Sequence, residues 1–308
     1  MLLPAAGCGS RPGAEAASQI SPVPAPPVVT RIVCGGDVML SRWVSRKAHQ
    51  QNDPSWPFRE IAPVFESADI AFVNLESPFT SRKRPFDAGM VFGAPPDMAE
   101  GLRLAGIDVV STANNHARDC GEKGVEFTLQ VLKDNGIAAA GTGLTEDLAH
   151  QGALIERKGL RFGFLAYTYD QRNGNYPDDD DRIAVMEVAR LREDLQSLKQ
   201  RADVAIVSMH AGNEYQTKAS VHQQAFARAA IDAGAILVVG HHPHVVQPVE
   251  NYKGGLIFYS LGNLVFDQSE PPGTQHGLVA EISFSGNRLV SYVVKPLIIR
   301  NTVPRLSS

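Results

Sequence analysis

From Arg31 onward, short apolar runs alternate with longer segments of helical period. Strand candidates are Arg31–Gly35, Ile70–Leu75, Val109–Ser111, Ile137–Ala140, Leu154–Glu156, Phe162–Tyr167, Val204–Met209, Ile236–Val239, Leu256–Leu261, Leu278–Phe284 and Leu289–Leu297. Apolar spacing at three and four residues predicts helices over Phe58–Ser67, Pro96–Ala105, Gly121–Asn135, Val185–Arg201 and Ser220–Ala233. "AGI" after Leu104 and "NGI" after Asp134 each place a glycine just past the last periodic residue, where a helix ends. Strand–helix alternation predicts an α/β domain with buried strands. Late in the chain, "SGN" between two alternating runs reads as a hairpin, so the sheets should be mixed.

Composition changes little inside this domain. The chain has 308 residues, 44% hydrophobic and 20% charged, with net charge −4. That balance lacks the basic footprint of a nucleic-acid partner. No apolar run approaches the roughly 18 residues of a membrane helix. The beginning is different. "LPAAGC", ending at Cys8, is similar to the lipobox of bacterial lipoproteins, and residues 9–29 are rich in Ala, Pro, Ser and Gly, as in an extended tether. The organisation expected is a truncated lipoprotein-like leader and tether over 1–29, with Met1 inside a longer signal peptide, then one domain over 30–308. An exported, envelope-anchored protein follows from that expectation. Of the other cysteines, Cys34 and Cys120 read as two inert thiols rather than a pair. The acidic run Asp178–Asp181 reads as a solvated loop.

The chemistry collects where strands end. Asp37 follows the first run. Asn74 and Glu76 close the second, and Asn114, Asn115 and His116 follow the third. His210 and Glu214 come after "VAIVSM", His241, His242 and His244 after "ILVVG", and Asn263 after "LIFYSLG". In open α/β sheets, ligand sites form at the carboxyl ends of the strands. Six such ends carry imidazoles, amides and carboxylates without a Lys or Arg. Such a cluster places carboxylates together unless a cation joins them. Imidazole, carboxylate and amide oxygen suit Mn, Zn or Fe better than calcium. In extended backbone His242 and His244 share a face, with Pro243 between them. His241 points elsewhere, as a supporting or surface histidine.

The segments "GGDVMLSR", "ADIAFVNLESPFT", "STANNHARDCG", "VSMHAGNEY", "GHHPHVVQPVE" and "IFYSLGNLVFDQ" together resemble the CapA family of bacterial capsule and poly-γ-glutamate synthesis proteins. That family in turn resembles the calcineurin-like metallophosphoesterases. The resemblance implies a four-layer α/β/β/α sandwich with one or two divalent metal ions. It implies metal-ligand roles for Asp37, Glu76, Asn115, His210, His242 and His244. Glu76, Asn115, His210 and His242 would form one site; Asp37, Glu76 and His244 would form the other. Met39 stands where the superfamily has a further ligating histidine. His116 would protonate the leaving group, Asp119 would orient its loop or cap the helix beginning near Gly121, and Glu214 and Asn263 would orient ligands. Tyr215 and Gln247 would line the pocket. The implied activity is metal-dependent hydrolysis of a phosphoester, or of an amide or ester in an anionic surface polymer, beside polymer synthesis and export machinery. The alternative is a surface-anchored accessory protein that handles an anionic polymer without turnover.

Overall fold

The computed structural model describes residues 1, 28–81, 90–169 and 181–307. The lipobox cysteine Cys8, most of the tether, and Asp178 to Asp180 of the acidic run lie outside the described residues. Two mixed sheets form the body. The first has the order β14-β13-β12-β1-β2-β3-β4, with β11 paired to the end of β1. Its strands are β1 (Val29–Val38), β2 (Ile70–Leu75), β3 (Val109–Ser111), β4 (Ala138–Ala140), β11 (Asn263–Val265), β12 (His276–Ser285), β13 (Arg288–Arg300) and β14 (Val303–Leu306). The second has the order β5-β6-β7-β8-β10-β9. It comprises β5 (Ala153–Arg157), β6 (Leu160–Thr168), β7 (Val204–His210), β8 (Leu237–His241), β9 (Val249–Tyr252) and β10 (Gly255–Phe258).

Three apolar layers show how these sheets stack. Ile32, Cys34 and Phe72 of the first sheet meet Phe162, Phe164, Val239 and Phe258 of the second, with Phe72 and Phe164 stacked at 5.5 Å between ring centroids. The other face of the first sheet, through Val33, Val73 and Val110, packs on Val44 and Ala48 of α1 (Arg42–Gln50), Phe65 of α2 (Ala62–Glu66), Leu102 of α3 (Met98–Leu104) and Leu132 of α4 (Gly121–Asp134). The outer face of the second sheet, through Leu165 and Val207, packs on Ala149 of α5 (Glu146–Gln151), Leu191 and Leu195 of α6 (Val188–Leu198) and Phe226 of α7 (Val221–Asp232). This is the expected four-layer α/β/β/α sandwich. Because β1, β2, β3, β7 and β8 are apolar on both faces, they read as continuous hydrophobic runs.

Local chemistry sets the element ends. Ser220 and Gln223 make a reciprocal capping box at α7, and the Thr145 hydroxyl accepts from Leu148 N at α5. The expected helix over Phe58–Ser67 is instead a 3₁₀ turn over Trp56–Phe58 followed by the short α2. Pro63 explains the break, since it suits a first turn and not a helix interior. The helices expected over Pro96–Ala105 and Val185–Arg201 are shorter, and α1, α5, β9, β11 and β14 were not anticipated. Cys34 and Cys120 are free thiols, as expected. Among the described residues no helix is long and apolar enough to cross a membrane.

Candidate metal centre

Two glycines let the backbones close around the site. A Cβ on Gly36 would lie 1.8 Å from Gly262 O, and one on Gly240 would lie 2.0 Å from Tyr259 O. Gly36 thus admits β11 against β1, where Asp37 N donates to Gly262 O at 3.0 Å. Gly240 brings His241 and His242 over the same edge. The parallel strands β1, β2 and β3 of one sheet and β7 and β8 of the other end side by side.

Hydrogen bonds cross between the sheets at this edge. Asn74 Nδ2 donates to Asp37 Oδ1 at 2.9 Å and lies 3.2 Å from His210 Nδ1. His210 Nε2 is 2.8 Å from Asn115 Oδ1, and His242 N donates to Asp37 Oδ2 at 3.2 Å. Asn114 Nδ2 braces the assembly from Leu75 O at 2.8 Å. Asp37, Glu76 and His210 each offer a ligand atom, and these atoms lie within 4.8 Å of one another. So do those of Glu214, His242 and His244. Asn263 Oδ1 holds His244 Nδ1 at 3.0 Å.

Glu76 is fully buried, yet neither carboxylate oxygen has a hydrogen-bond partner. His244 Nε2 is 3.5 Å away and His116 Nε2 is 3.9 Å away. His242 Nδ1 is also buried and unpartnered. A buried carboxylate without donors is costly. The donor set around it is what a divalent cation requires, so these residues fit one.

The charges follow from that packing. Burial would raise Asp37, but the imidazoles of His241 and His244 hold it well below the usual carboxylate range. Burial pushes Glu76 well above that range. His244 opposes this, while Asp37, Glu214 and Asp119 add to it. Burial and neighbouring imidazoles lower His210, and lower His242 to about 3, so both stay neutral. Burial opposes protonation of His244, but Glu76 and Asp37 raise it to about 9. His116 Nδ1 is 2.7 Å from Asp119 Oδ2, which also accepts from Phe92 N at 2.5 Å. The Phe92 ring stacks on His116 with centroids 3.9 Å apart.

Some expectations need correction. His242 and His244 do converge, with ring centroids 6.0 Å apart, but not through extended alternation. Both have left-handed backbone, φ 95° and 57°. His241 is not a surface residue: it is fully buried, with Nδ1 3.3 Å from Asp37 Oδ1. Glu214 stands among possible ligand atoms rather than behind them. Met39 is turned into the core, where its sulfur accepts from Ser41 N and Oγ. Tyr215 accepts from Gln268 Nε2 at the rim. Gln247 is buried and spans the backbone carbonyls of Gln216 and Lys218, holding the 216–218 loop. Sequence reading gave no role to Asn74, Phe92 or Phe266. Only Asn74, at a strand end, carried a signal.

Two mixed sheets with this edge cluster define a metallophosphoesterase-like sandwich. A solved phosphatase from Mycoplasma pneumoniae shares the fold, with TM-score 0.59 and 12% identity over 88% of this chain and 94% of that one. Residues 31–268 match the family model described as bacterial capsule synthesis protein PGA_cap, and the chain belongs to that family. Relatives include the capsule biosynthesis protein CapA of Bacillus anthracis, 30% identical over 88% of this chain and 67% of the relative. The PGA biosynthesis protein CapA of Bacillus subtilis is also 30% identical, over 87% and 71%.

Proposed function

We propose that this chain acts in the synthesis of a poly-γ-glutamate-type surface polymer as a metal-dependent hydrolase, cleaving a phosphoester, or an amide or ester of the polymer. The carrying observation is Glu76, a buried carboxylate with no hydrogen-bond donor, ringed by Asp37, His210 and His244. Asp37, Glu76, Asn115 and His210 on one side, and Glu214, His242 and His244 on the other, would hold Mn, Zn or Fe. When bound, such ions supply charge neutralisation for substrate oxygens and acidity for an attacking water.

The chain's own residues do the rest. Asn74 and Asn263 fix the orientation of Asp37, His210 and His244. Asp119 holds Nδ1 of His116, so the ring presents Nε2 toward Glu76 and the site. From there His116 donates a proton to the departing oxygen or nitrogen. Phe92 keeps the ring plane fixed and, with Phe266, keeps water from that side.

The test is metal content and hydrolysis by the whole chain supplied with Mn or Zn. Wild type should bind metal and release new end groups from the polymer. The His242→Ala and His244→Ala double variant should hold less metal, having lost the ligands beside Glu214, and should release no end groups. Polymer binding without turnover in wild type would transfer the role to the accessory alternative. We also propose export and anchoring to the envelope through a lipid on Cys8, beside the polymer synthesis and export machinery. Its support is "LPAAGC" and the Pro/Ala-rich segment after it. Mass spectrometry of the native protein should find lipidated Cys8. An unmodified Cys8 in the soluble fraction would overturn that placement.

A further inference from the structure

Phe92 carries the ring on which His116 is stacked, with centroids 3.9 Å apart. It belongs to no helix or strand, so no regular ladder of backbone hydrogen bonds decides where that ring stands. Its backbone N–H is tied to Asp119, the carboxylate that also holds His116 Nδ1. The ring itself depends on what packs against it. Phe266 meets it edge-on at 6.0 Å. The guanidinium of Arg42 lies over it, with Cζ 4.6 Å from the Phe92 centroid.

Three observations mark Arg42 as placed for this contact. First, its backbone is left-handed, φ 51°, at the first residue of α1. A non-glycine residue stays in that region only where its surroundings over-determine it, and such residues gather at functional sites. Second, Asp267 accepts from Arg42 Nη2 and, on its other oxygen, from Trp43 N at 3.2 Å. It thereby takes a first-turn amide of α1, which the Ser41 side chain does not cap, and holds the guanidinium with the same carboxylate. The two side chains are only 17% and 9% exposed, so the pair is no solvent-screened surface bridge. Third, Asp267 directly follows Phe266, whose ring packs on Phe92 and, at 5.0 Å, on His244. The chain leaving β11 thus delivers both the anchor of Arg42 and the second ring against Phe92.

We infer that Arg42 is a positioning residue for His116, acting through Phe92. Its guanidinium fixes the Phe92 ring by a cation–π contact, and that ring fixes the plane of the imidazole. Asp119 holds one ring nitrogen and leaves the plane free to swing about that bond; the stack removes the swing. The consequence rests on the function proposed above: Nε2 is kept where it can deliver a proton, and a small displacement of such a donor is costly.

The fixed ring is read by NMR of the full chain in EDTA with labelled histidine, the His116 signal being assigned by its absence from His116→Gln. The Phe92 ring current displaces this signal, and Phe92→Ala gives its position without the stack. Arg42→Ala should move it most of the way to that position, and Asp267→Asn should move it in the same direction. Arg42→Lys should recover part of the displacement. In Phe92→Ala, adding Arg42→Ala should change nothing further. An unmoved signal from His150 of α5, which packs on the outer face of the second sheet, shows that each variant is folded. Turnover is read on para-nitrophenyl phosphate and methyl phosphate. Nitrophenolate departs without a proton and methoxide does not. Arg42→Ala should therefore lower kcat about tenfold on methyl phosphate, with KM and the para-nitrophenyl phosphate rate near wild type. A His116 signal unmoved in both Arg42→Ala and Asp267→Asn, or a shift that persists in the Phe92→Ala background, overturns the positioning. So does an equal loss of kcat on the two esters, which marks a merely structural residue. Shifts that require Phe92, with no turnover even in wild type, leave the positioning standing and remove the hydrolase. Turnover by wild type with a His116 signal indifferent to Arg42 does the reverse.

Discussion

Asp37 and Glu76 are both fully buried acids within ligand distance of each other, and neutralising them should have opposite effects on the metal-free protein. Asp37 accepts Asn74 Nδ2 on one oxygen and His242 N on the other. In Asp37→Asn only one oxygen is left for two donors. The loss of one bond to a charged acceptor costs about 1.5–3 kcal/mol, and the stranded donor about 1–3 kcal/mol more. The sum of about 3–6 kcal/mol corresponds to roughly 6–12 °C in Tm for a domain of this size. Glu76 makes no hydrogen bond that Gln would lose. Glu76→Gln removes a buried carboxylate without hydrogen bonds together with its attraction to His244, and should leave stability in EDTA unchanged or raise it by up to ~3 kcal/mol. The pH dependence separates them again. Asp37 is depressed, so its contribution is present above the usual carboxylate range and lost as pH falls through its lowered pKa. Glu76 is raised, so its contribution is present in acid and lost as pH rises through its elevated pKa; the advantage of Gln therefore grows with pH. With Mn at a hundred times Kd, wild type should gain about 2.7 kcal/mol, and both variants should lose most of that gain. Thermal melts in EDTA carried down to about pH 2 and up to pH 8, and in Mn from pH 5 to 8, read all of this. If Glu76→Gln is destabilised in EDTA as much as Asp37→Asn, the reading of Glu76 as donor-less fails. If both keep the full Mn gain, neither is a ligand.

Other outcomes follow from the same geometry. His244 is raised to about 9 between two carboxylates, and must lose its proton to ligate a cation. Apparent Mn affinity, by calorimetry, should therefore tighten by about tenfold per unit between pH 6 and 8; a flat profile would exclude His244. Asp119→Ala should lower kcat by about 10²-fold or more, with metal content intact, because it frees the His116 ring; steady-state kinetics with metal analysis check it. Thr302→Gly relieves a left-handed β-branched residue and should stabilise the fold by about 1 kcal/mol, read as a higher denaturant midpoint.

What the sequence disclosed depended on how much of each signal was local. β2 and β3 have the bounds that their apolar runs predict, because every residue in them is buried. Helix α1 escaped notice because "RWVSRKAHQ" buries only Val44, Ser45 and Ala48. The three-residue β11 exists through its register with β1, not through its own pattern. At the site, strand ends named most of the residues that converge. The same reading could not see that His242 and His244 meet through left-handed backbone, since φ is imposed by the closure over Gly240. Nor could it rank Glu214, which arrives on a loop with no strand register, or Asn74, whose importance lies in partners 37 and 136 residues away.

The position of β1 has a consequence for the order of assembly. Its neighbours are β2 on one side and, on the other, β11 and β12, drawn from residues 263–285. Those late strands must cross more than two hundred residues of chain to reach it, the kind of long-range closure that slows folding. Asp37 is among the first of the polar strand-end residues to be synthesised, yet it is not enclosed until β11 has docked and Gly262 has closed over Gly36. The site is therefore a late product of folding. A chain interrupted before residue 263 would carry most of the ligand side chains and still have no site.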